Sequence, residues 1–382
     1  MIYLDAASTA KYRNVDDIIV DTMTTAMKDS WMNPSSLYAA GVKEKINKCR
    51  TNIAEFIGAK PEEIYFTSGA SESNNWAIRG WVDRQLRGLT HINIITTPIE
   101  HKSILSVVQS DVLDACVHYC DVDKFGLINL ESLEHLLYGY EYEPILVSVH
   151  MANNEIGTIQ NIKEIADIVH KYGGILHVDA TQAFGHTPIN VEELGVDMMS
   201  CSGHKISPVL RGVGFLYKKN CINIQPLIYG AQENEMRGGT ENTYGVIGLG
   251  KALEYCDVSY DTMMELCEKR DHFIAILKSR FGCNLNGHGE YRLPNNINVT
   301  FPQNITGESL LYMLDISGIK IGIGSACNSH SYEPSHVLKA IGLSDSEAMR
   351  TVRFTLPNDI TYDEIDKAIK EIEKAIKIIE IN

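Results

Sequence analysis

Residues 175–182 read ILHVDATQ, and residues 198–205 read MMSCSGHK. Each begins as a short β-rich run and closes on polar side chains: Asp179 and Gln182 in the first, Ser202, His204 and Lys205 in the second. The same texture extends outward from both. Residues 63–67 (EIYFT) precede a helical pattern over 71–87, residues 92–96 (INIIT) precede one over 102–109, and residues 145–150 (ILVSVH) precede one over 162–172. Residues 214–217 form a further strand-like run. Such alternation requires right-handed crossovers and a mostly parallel sheet covered on both faces. Ligands of these sheets bind beyond the carboxyl ends of the strands, so the informative residues lie just after each run.

Beyond about residue 250 the texture changes. A long helical pattern over 251–281 leads to a strand at 296–300, a helix at 308–317 and a glycine-rich segment. A helix at 334–341, a strand at 351–355 and a terminal helix from Tyr362 complete the chain. With 382 residues, more than one core is expected. The expected division is a large ligand-binding domain over 15–250 and a smaller α/β domain built from 1–14 and 251–382.

The net charge of −15 opposes direct binding to nucleic acid or to an anionic membrane, both of which need a basic face. Nine cysteines at irregular spacing, without a C-x-x-C pair, argue against a disulfide framework and a structural zinc site. Cys116 and Cys120 lie four apart in a strand-like segment with no matching pair elsewhere, so no metal site is expected. Residues 1–5 (MIYLD) lack a basic region followed by an apolar run, and no stretch approaches the ~20 apolar residues of a membrane span. A reducing cytoplasm is the expected setting.

The polar residues after each strand carry the chemistry. Residues 68–73 (SGASES) open a helix with small side chains, where free N–H groups and the positive dipole end suit a phosphate; a plain helix cap explains them equally well. Glu100 and His101 follow the next strand, and residues 153–157 (NNEIG) follow the one after, either a functional turn or a loop with local Asx bonds. The pair Asp179 and Lys205 narrows the reading. An acid and an amine at the ends of two sheet strands are what a pyridine cofactor needs: the acid keeps the ring nitrogen protonated and the amine forms a Schiff base. Taken singly, Asp179 could cap a helix and Lys205 could be an exposed loop lysine.

HVDATQ (177–182) followed by SGHK (202–205) resembles the class V aminotransferase-like enzymes of the fold-type I pyridoxal phosphate (PLP) dependent transferases. Over nearly the whole chain the sequence is similar to the NifS/IscS-type cysteine desulfurases. The residues that carry this are YLDAAST (3–9), NPSS (33–36), EIYFTSGASESNN (63–75), EHKS (100–103), NNEIG (153–157), RGGTEN (237–242), GSACNS (324–329), EPSHVLKAIG (333–342) and VRFTL (352–356). The resemblance implies PLP as cofactor, L-cysteine as substrate, L-alanine as product and a persulfide on Cys327. It makes Lys205 the Schiff-base lysine and the base at substrate Cα. Asp179 would pair with the ring nitrogen, Gln182 with the ring oxygen, and His101 would stack on the ring and move protons. Ala70, Ser71, Ser202 and His204 would hold the phosphate, joined by Thr240 of a neighbouring subunit, which implies a homodimer. Asn154 and Arg353 would bind the substrate carboxylate, Arg353 bidentately, with Asn33 assisting.

A nucleophile that attacks bound substrate and later delivers sulfur elsewhere belongs on a mobile loop, and Gly322 and Gly324 are expected to supply that freedom to Cys327. Without the resemblance Cys327 would be an ordinary cysteine in a glycine-rich turn. Three stretches depart from the family pattern. Residues 206–212 (ISPVLRG) replace a shorter glycine-rich run, residues 229–235 (YGAQENE) keep only part of another, and Tyr38 stands near the place of a common histidine. They are expected to border the site mouth and the dimer contact. Two other readings stay open: a selenocysteine lyase or other class V PLP enzyme, and a low-turnover PLP-binding scaffold for an assembly partner. A sulfur-acceptor protein, scaffold or carrier, is implied in either desulfurase case. Iron–sulfur cluster assembly, tRNA thiolation and DNA modification all begin with the same persulfide.

Overall fold

The computed structural model describes every residue except 12–14, 87–90, 303, 325–332 and 382. Strand β1 (Ile2–Leu4) belongs to a smaller sheet, and the next seven strands form a larger one: β2 (Ile64–Thr67), β3 (Asn93–Thr96), β4 (Cys116–Tyr119), β5 (Ile145–His150), β6 (Ile175–Asp179), β7 (Met198–Ser202) and β8 (Gly214–Lys218). Their spatial order is β2-β8-β7-β6-β5-β3-β4. Only β8 runs against its neighbours, so the large sheet is mostly parallel, as the strand–helix alternation requires.

Period-two geometry explains why these strands are apolar throughout. Leu146, Met198 and Leu216 point into one hydrophobic cluster, with Trp76 and Trp81 of helix Ala70–Gln85. Their chain neighbours Val147, Met199, Phe215 and Tyr217 point into another cluster on the opposite face. The smaller sheet adds β9 (Asn284–Leu285), β10 (Asn296–Thr300), β11 (Ile319–Ile323) and β12 (Thr351–Thr355), in the order β1-β11-β12-β10-β9. It has its own core around Phe273, Val299 and Phe354.

Several expectations need correction. The pattern over 251–281 is not one helix but two, Thr243–Leu253 and Tyr260–Phe281. Between them the Asp257 carboxylate accepts from Ser259 N at 2.9 Å and Thr262 Oγ1 at 2.6 Å, which ties the break to the first turn of the second helix. The glycine-rich segment contains β11, and β1 was too short to register as a strand. Within residues 206–212, Ile206, Ser207 and Leu210 are buried and Ser207 Oγ donates to Asp16 Oδ1 at 2.6 Å, while Arg211 and Gly212 are exposed.

Within the second departure, Glu233, Asn234 and Glu235 all take left-handed backbone, with φ of 49°, 56° and 67°. The buried Glu233 carboxylate anchors this turn by accepting from Arg50 Nη1 at 2.7 Å, Arg50 Nη2 at 3.0 Å and Phe66 N at 3.1 Å. Left-handed backbone costs a side-chain-bearing residue ~1–2 kcal/mol, whereas glycine sacrifices ~0.5–1 kcal/mol of chain entropy on folding. Glu235→Gly is therefore expected to raise unfolding free energy by about 0.5–1 kcal/mol in urea titration. A decrease would show that the Glu235 side chain, not its backbone, governs the turn.

Candidate active site

Strand β6 ends on Asp179, only 6% exposed. Its Oδ1 accepts from the amide and the hydroxyl of Thr181, and its Oδ2 accepts from Asn74 Nδ2 at 2.8 Å. Asn74 stands one turn into helix Ala70–Gln85, and its other amide hydrogen goes to Ser103 Oγ at 2.8 Å. Ser103 in turn approaches His101: its N–H donates to Nδ1 at 3.1 Å and its Oγ lies 2.8 Å from the same atom. Nδ1 is thus an acceptor, which leaves the ring proton of neutral His101 on Nε2. The residue keeps access to solvent, yet neighbouring groups desolvate its ring. That burial lowers its pKa, Lys205 adds to the effect, and Asp179 and Glu100 oppose it.

Two further histidines lie beneath. His177, two residues before Asp179 on β6, is fully buried between Ser148 Oγ and Ser200 Oγ, both at 2.9 Å. Burial pushes it down to about 4, against the pull of Asp179, so it is neutral. His150 Nδ1 meets Glu100 Oε1 at 3.0 Å, both groups buried. Burial alone would lower this histidine, but the Glu100 carboxylate outweighs it and the pKa is raised.

Strand β7 delivers Lys205 through the tight turn Gly203–Lys205. Lys205 Nζ donates to Ala7 O at 2.6 Å and Ser8 O at 2.9 Å, and Gln182 Nε2 donates to the same Ala7 O at 3.0 Å. The amine and Gln182 therefore meet on one carbonyl, and the charges of Lys205 and Asp179 both act on His101.

An uncapped helix start adjoins them. Helix Ala70–Gln85 starts at Gly69, which offers no side-chain cap to the first amides at Ala70 and Ser71. A Cβ on Gly69 would lie 3.3 Å from Ser202 Oγ, and one on Gly214 would lie 2.6 Å from Gly69 Cα. Glycine at 214 thus lets the β2 turn rest on the end of β7. Ser202 Oγ bonds His204 Nδ1 at 2.8 Å, and burial, helped by Lys205, Arg211 and His101, pushes His204 down to about 4. Ala70, Ser71, Ser202 and His204 so share one corner. Thr240 lines a cavity with Thr67, Ser68 and Arg237 of its own subunit, and Arg237 Nε is held by Glu72 Oε1 at 2.7 Å.

On the small sheet, Arg353 of β12 lies across from Gly322 of β11. Its Nη2 donates to Asp5 Oδ1 at 2.7 Å and Ser8 Oγ at 2.8 Å, and its Nη1 donates to Asn154 O at 2.9 Å. A Cβ on Gly322 would stand 2.7 Å from Asp5 Oδ1 and 2.8 Å from Arg353 Nη2. Gly322 therefore provides clearance inside a strand rather than loop freedom, which corrects that expectation. A Cβ on Gly324 would likewise be 3.0 Å from Glu155 Oε2, the atom that accepts from Ser335 Oγ at 2.5 Å. Asn33 is exposed, its Oδ1 accepting from Ser35 N at 2.9 Å, and no described hydrogen bond brings it to the cluster. Cys327 lies outside the described residues.

A phosphate-bearing pyridine cofactor fits what is present: a buried acid, an amine that shares the Ala7 carbonyl with Gln182, and an uncapped helix start whose Asn74 bonds the acid. Asn74 Oδ1 and Arg353 Nε are buried without a described partner, as polar atoms awaiting a ligand would be. Among the described residues no group of His, Cys, Asp and Glu is arranged to hold a metal. Sequence reasoning missed Asn74, Ser103, Asp5 and Ser8. Ser103 was findable as the residue two after His101, a capping position, whereas Asp5 and Ser8 carry no local signal.

A family model described as aminotransferase class-V matches residues 2–368. A cysteine desulfurase IscS of Dictyoglomus turgidum is 41% identical, covering 98% of this chain and 94% of that protein. Among solved structures, a NifS-like protein superposes with a TM-score of 0.88 at 32% identity, covering 99% of each chain. SspA in complex with cysteine superposes with a TM-score of 0.81 at 34% identity, covering 94% of this chain and 99% of the other.

The neutral, buried His177 couples stability to pH. Its folded pKa of about 4 lies below the unfolded value of ~6.5, so the unfolded chain binds the extra proton between them. Stability present above pH ~6.5 is lost as pH falls towards 4. Urea unfolding at pH 7 and pH 5 should show wild type losing about 2 kcal/mol more than His177→Gln. Equal losses would mean that His177 is protonated in the fold.

Proposed function

The chain belongs to the class-V aminotransferase family, with the IscS-type cysteine desulfurases, and we propose that it takes sulfur from L-cysteine, releases L-alanine and leaves a persulfide on Cys327. The observation that carries this reading is the meeting of Lys205 and Gln182 on Ala7 O beside buried Asp179. Pyridoxal phosphate, the family's cofactor, supplies an electron sink that accepts the pair left at substrate Cα and so loosens the bond from Cβ to sulfur.

The chain's own groups do the rest. Ala70, Ser71, Ser202 and His204 would hold the phosphate with Thr240 of a second subunit; the uncapped helix start supports this. Asp179, its oxygens fixed by Thr181 and Asn74, would keep the proton on the ring nitrogen. Gln182 would donate to the ring oxygen. His101, with Nδ1 tied to Ser103, would cover the ring and offer its Nε2–H. Arg353 and Asn154 take the substrate carboxylate, with Asn33 assisting. Lys205 Nζ removes the Cα proton and returns a proton to the departing fragment. The Cys327 thiolate forms a bond to the substrate sulfur while the sulfur–Cβ bond breaks, and the bonding pair leaves with carbon. Cysteine plus one enzyme thiol thus gives alanine plus one persulfide.

The same proposal includes a homodimer, a sulfur-acceptor protein and a cytoplasmic setting. It also includes a large domain over 15–250 and a small one of 1–14 and 251–382, a division supported by the separate core around Phe273 and Phe354. No described helix is long and apolar enough to cross a membrane.

Lys205→Ala should abolish the visible absorbance of the lysine-bound cofactor and lower alanine formation by ~10²–10⁴-fold or more. Cys327→Ser should keep that absorbance and lose alanine and sulfide production from cysteine with a reductant. Undiminished sulfide release by Cys327→Ser would remove Cys327 from the reaction. A wild-type protein that takes up no pyridoxal phosphate would overturn the whole reading.

A further inference from the structure

The guanidinium of Arg353 is already half committed. Three of its five N–H bonds are used, two from Nη2 to Asp5 Oδ1 and Ser8 Oγ and one from Nη1 to Asn154 O, while Nε is buried without a described partner. A guanidinium can grip a carboxylate with two parallel bonds along only two edges, Nε with Nη2 or Nη1 with Nη2, because the remaining side carries Cδ. Both edges need Nη2. A ligand carboxylate is therefore gripped bidentately only if Asp5 or Ser8 gives way. The neutral hydroxyl of Ser8 is the weaker partner, and the charged Asp5 stays.

Asp5 makes no other side-chain hydrogen bond among the described residues, and the pair is well enclosed, with Arg353 7% and Asp5 20% exposed at the side chain. Other charged groups at this corner are Lys205, which the cofactor engages in the loaded enzyme, and exposed Arg211, whose charge acts on Tyr3 and His204. The Tyr3 hydroxyl donates to Asp5 O and Thr9 O and is held neutral by burial.

We propose that Asp5 is a specificity-determining residue: its carboxylate cancels the charge of Arg353, so that the site accepts the zwitterion of an α-amino acid and disfavours carboxylates that lack an amine. A second carboxylate brought to Arg353 leaves two acids facing one cation where water is scarce. The α-ammonium of an amino acid, one bond from its carboxyl carbon's neighbour, brings the missing positive charge. A plain carboxylic acid brings none. This rests on the reading that Arg353 takes the substrate carboxylate.

Asp5→Asn keeps the shape and one hydrogen-bond acceptor but removes the charge. The probes are L-alanine and propionate, which differ only in the ammonium group, titrated calorimetrically into the cofactor-loaded enzyme. Propionate should bind Asp5→Asn about tenfold more tightly than wild type, about 1.4 kcal/mol, while L-alanine changes by less than about threefold. Asp5→Ser, which removes the charge with a smaller side chain, should shift the ratio the same way if Asp5→Asn folds poorly. An unchanged ratio, or parallel weakening of both ligands, overturns the proposal and leaves Asp5 as a simple support for Arg353. Arg353→Met separates the underlying reading: if both ligands bind it as tightly as wild type, Arg353 does not hold the carboxylate at all.

Discussion

A carboxylate buried at the end of a packed parallel strand can stay charged only if donors surround it. Asp179 is in that position, and much of the site is arranged around its needs. Thr181 saturates one oxygen from the same turn, and Asn74 reaches the other from the helix that follows β2. Because Asn74 sits on that helix, the link to Asp179 also fixes where the helix begins, and so where its free amides point. Through Ser103 the same side chain sets the orientation of His101. Two residues earlier on the same strand, His177 is enclosed by two serines and held neutral by burial. One acid is thus tied through hydrogen bonds to the start of helix Ala70–Gln85 and to His101.

The N-terminal segment joins this arrangement to the smaller sheet. Strand β1 pairs with β11, and Ala6 N donates to Thr355 O at 3.2 Å, while Ala10 N donates to His204 O at 3.1 Å on the large-sheet side. Between those points Ala7 O receives Lys205 and Gln182, and Asp5 and Ser8 receive Arg353. Six consecutive residues, 5–10, therefore hold the amine expected to act at Cα and the cation expected to hold the carboxylate in a fixed relation. The distance between the two sheets at the site is set by covalent chain rather than by side-chain packing alone.

Much of this was legible in the sequence, for a definite reason. Parallel strands buried on both faces read as short apolar runs, and functional side chains collect where those runs stop, so Asp179 and Lys205 stand out. What was hidden depends on partners distant in the chain. Asp5 meets Arg353 across 348 positions, and no periodicity announces it. Gly322 looked like a loop glycine because glycine weakens a strand pattern, yet it lies in β11, leaving room for that ion pair. The break at 254–259 was masked because both flanking helices share a continuous apolar rhythm, and the Asp257 cap that separates them is a hydrogen-bond effect.

The most direct measurement traps the cofactor on its lysine. Protein equilibrated with pyridoxal phosphate, reduced with borohydride and digested, should carry the phosphopyridoxyl group on the peptide that contains Lys205. Attachment to a different lysine, or no attachment, would contradict the convergence of residues 179 and 205 on one ring.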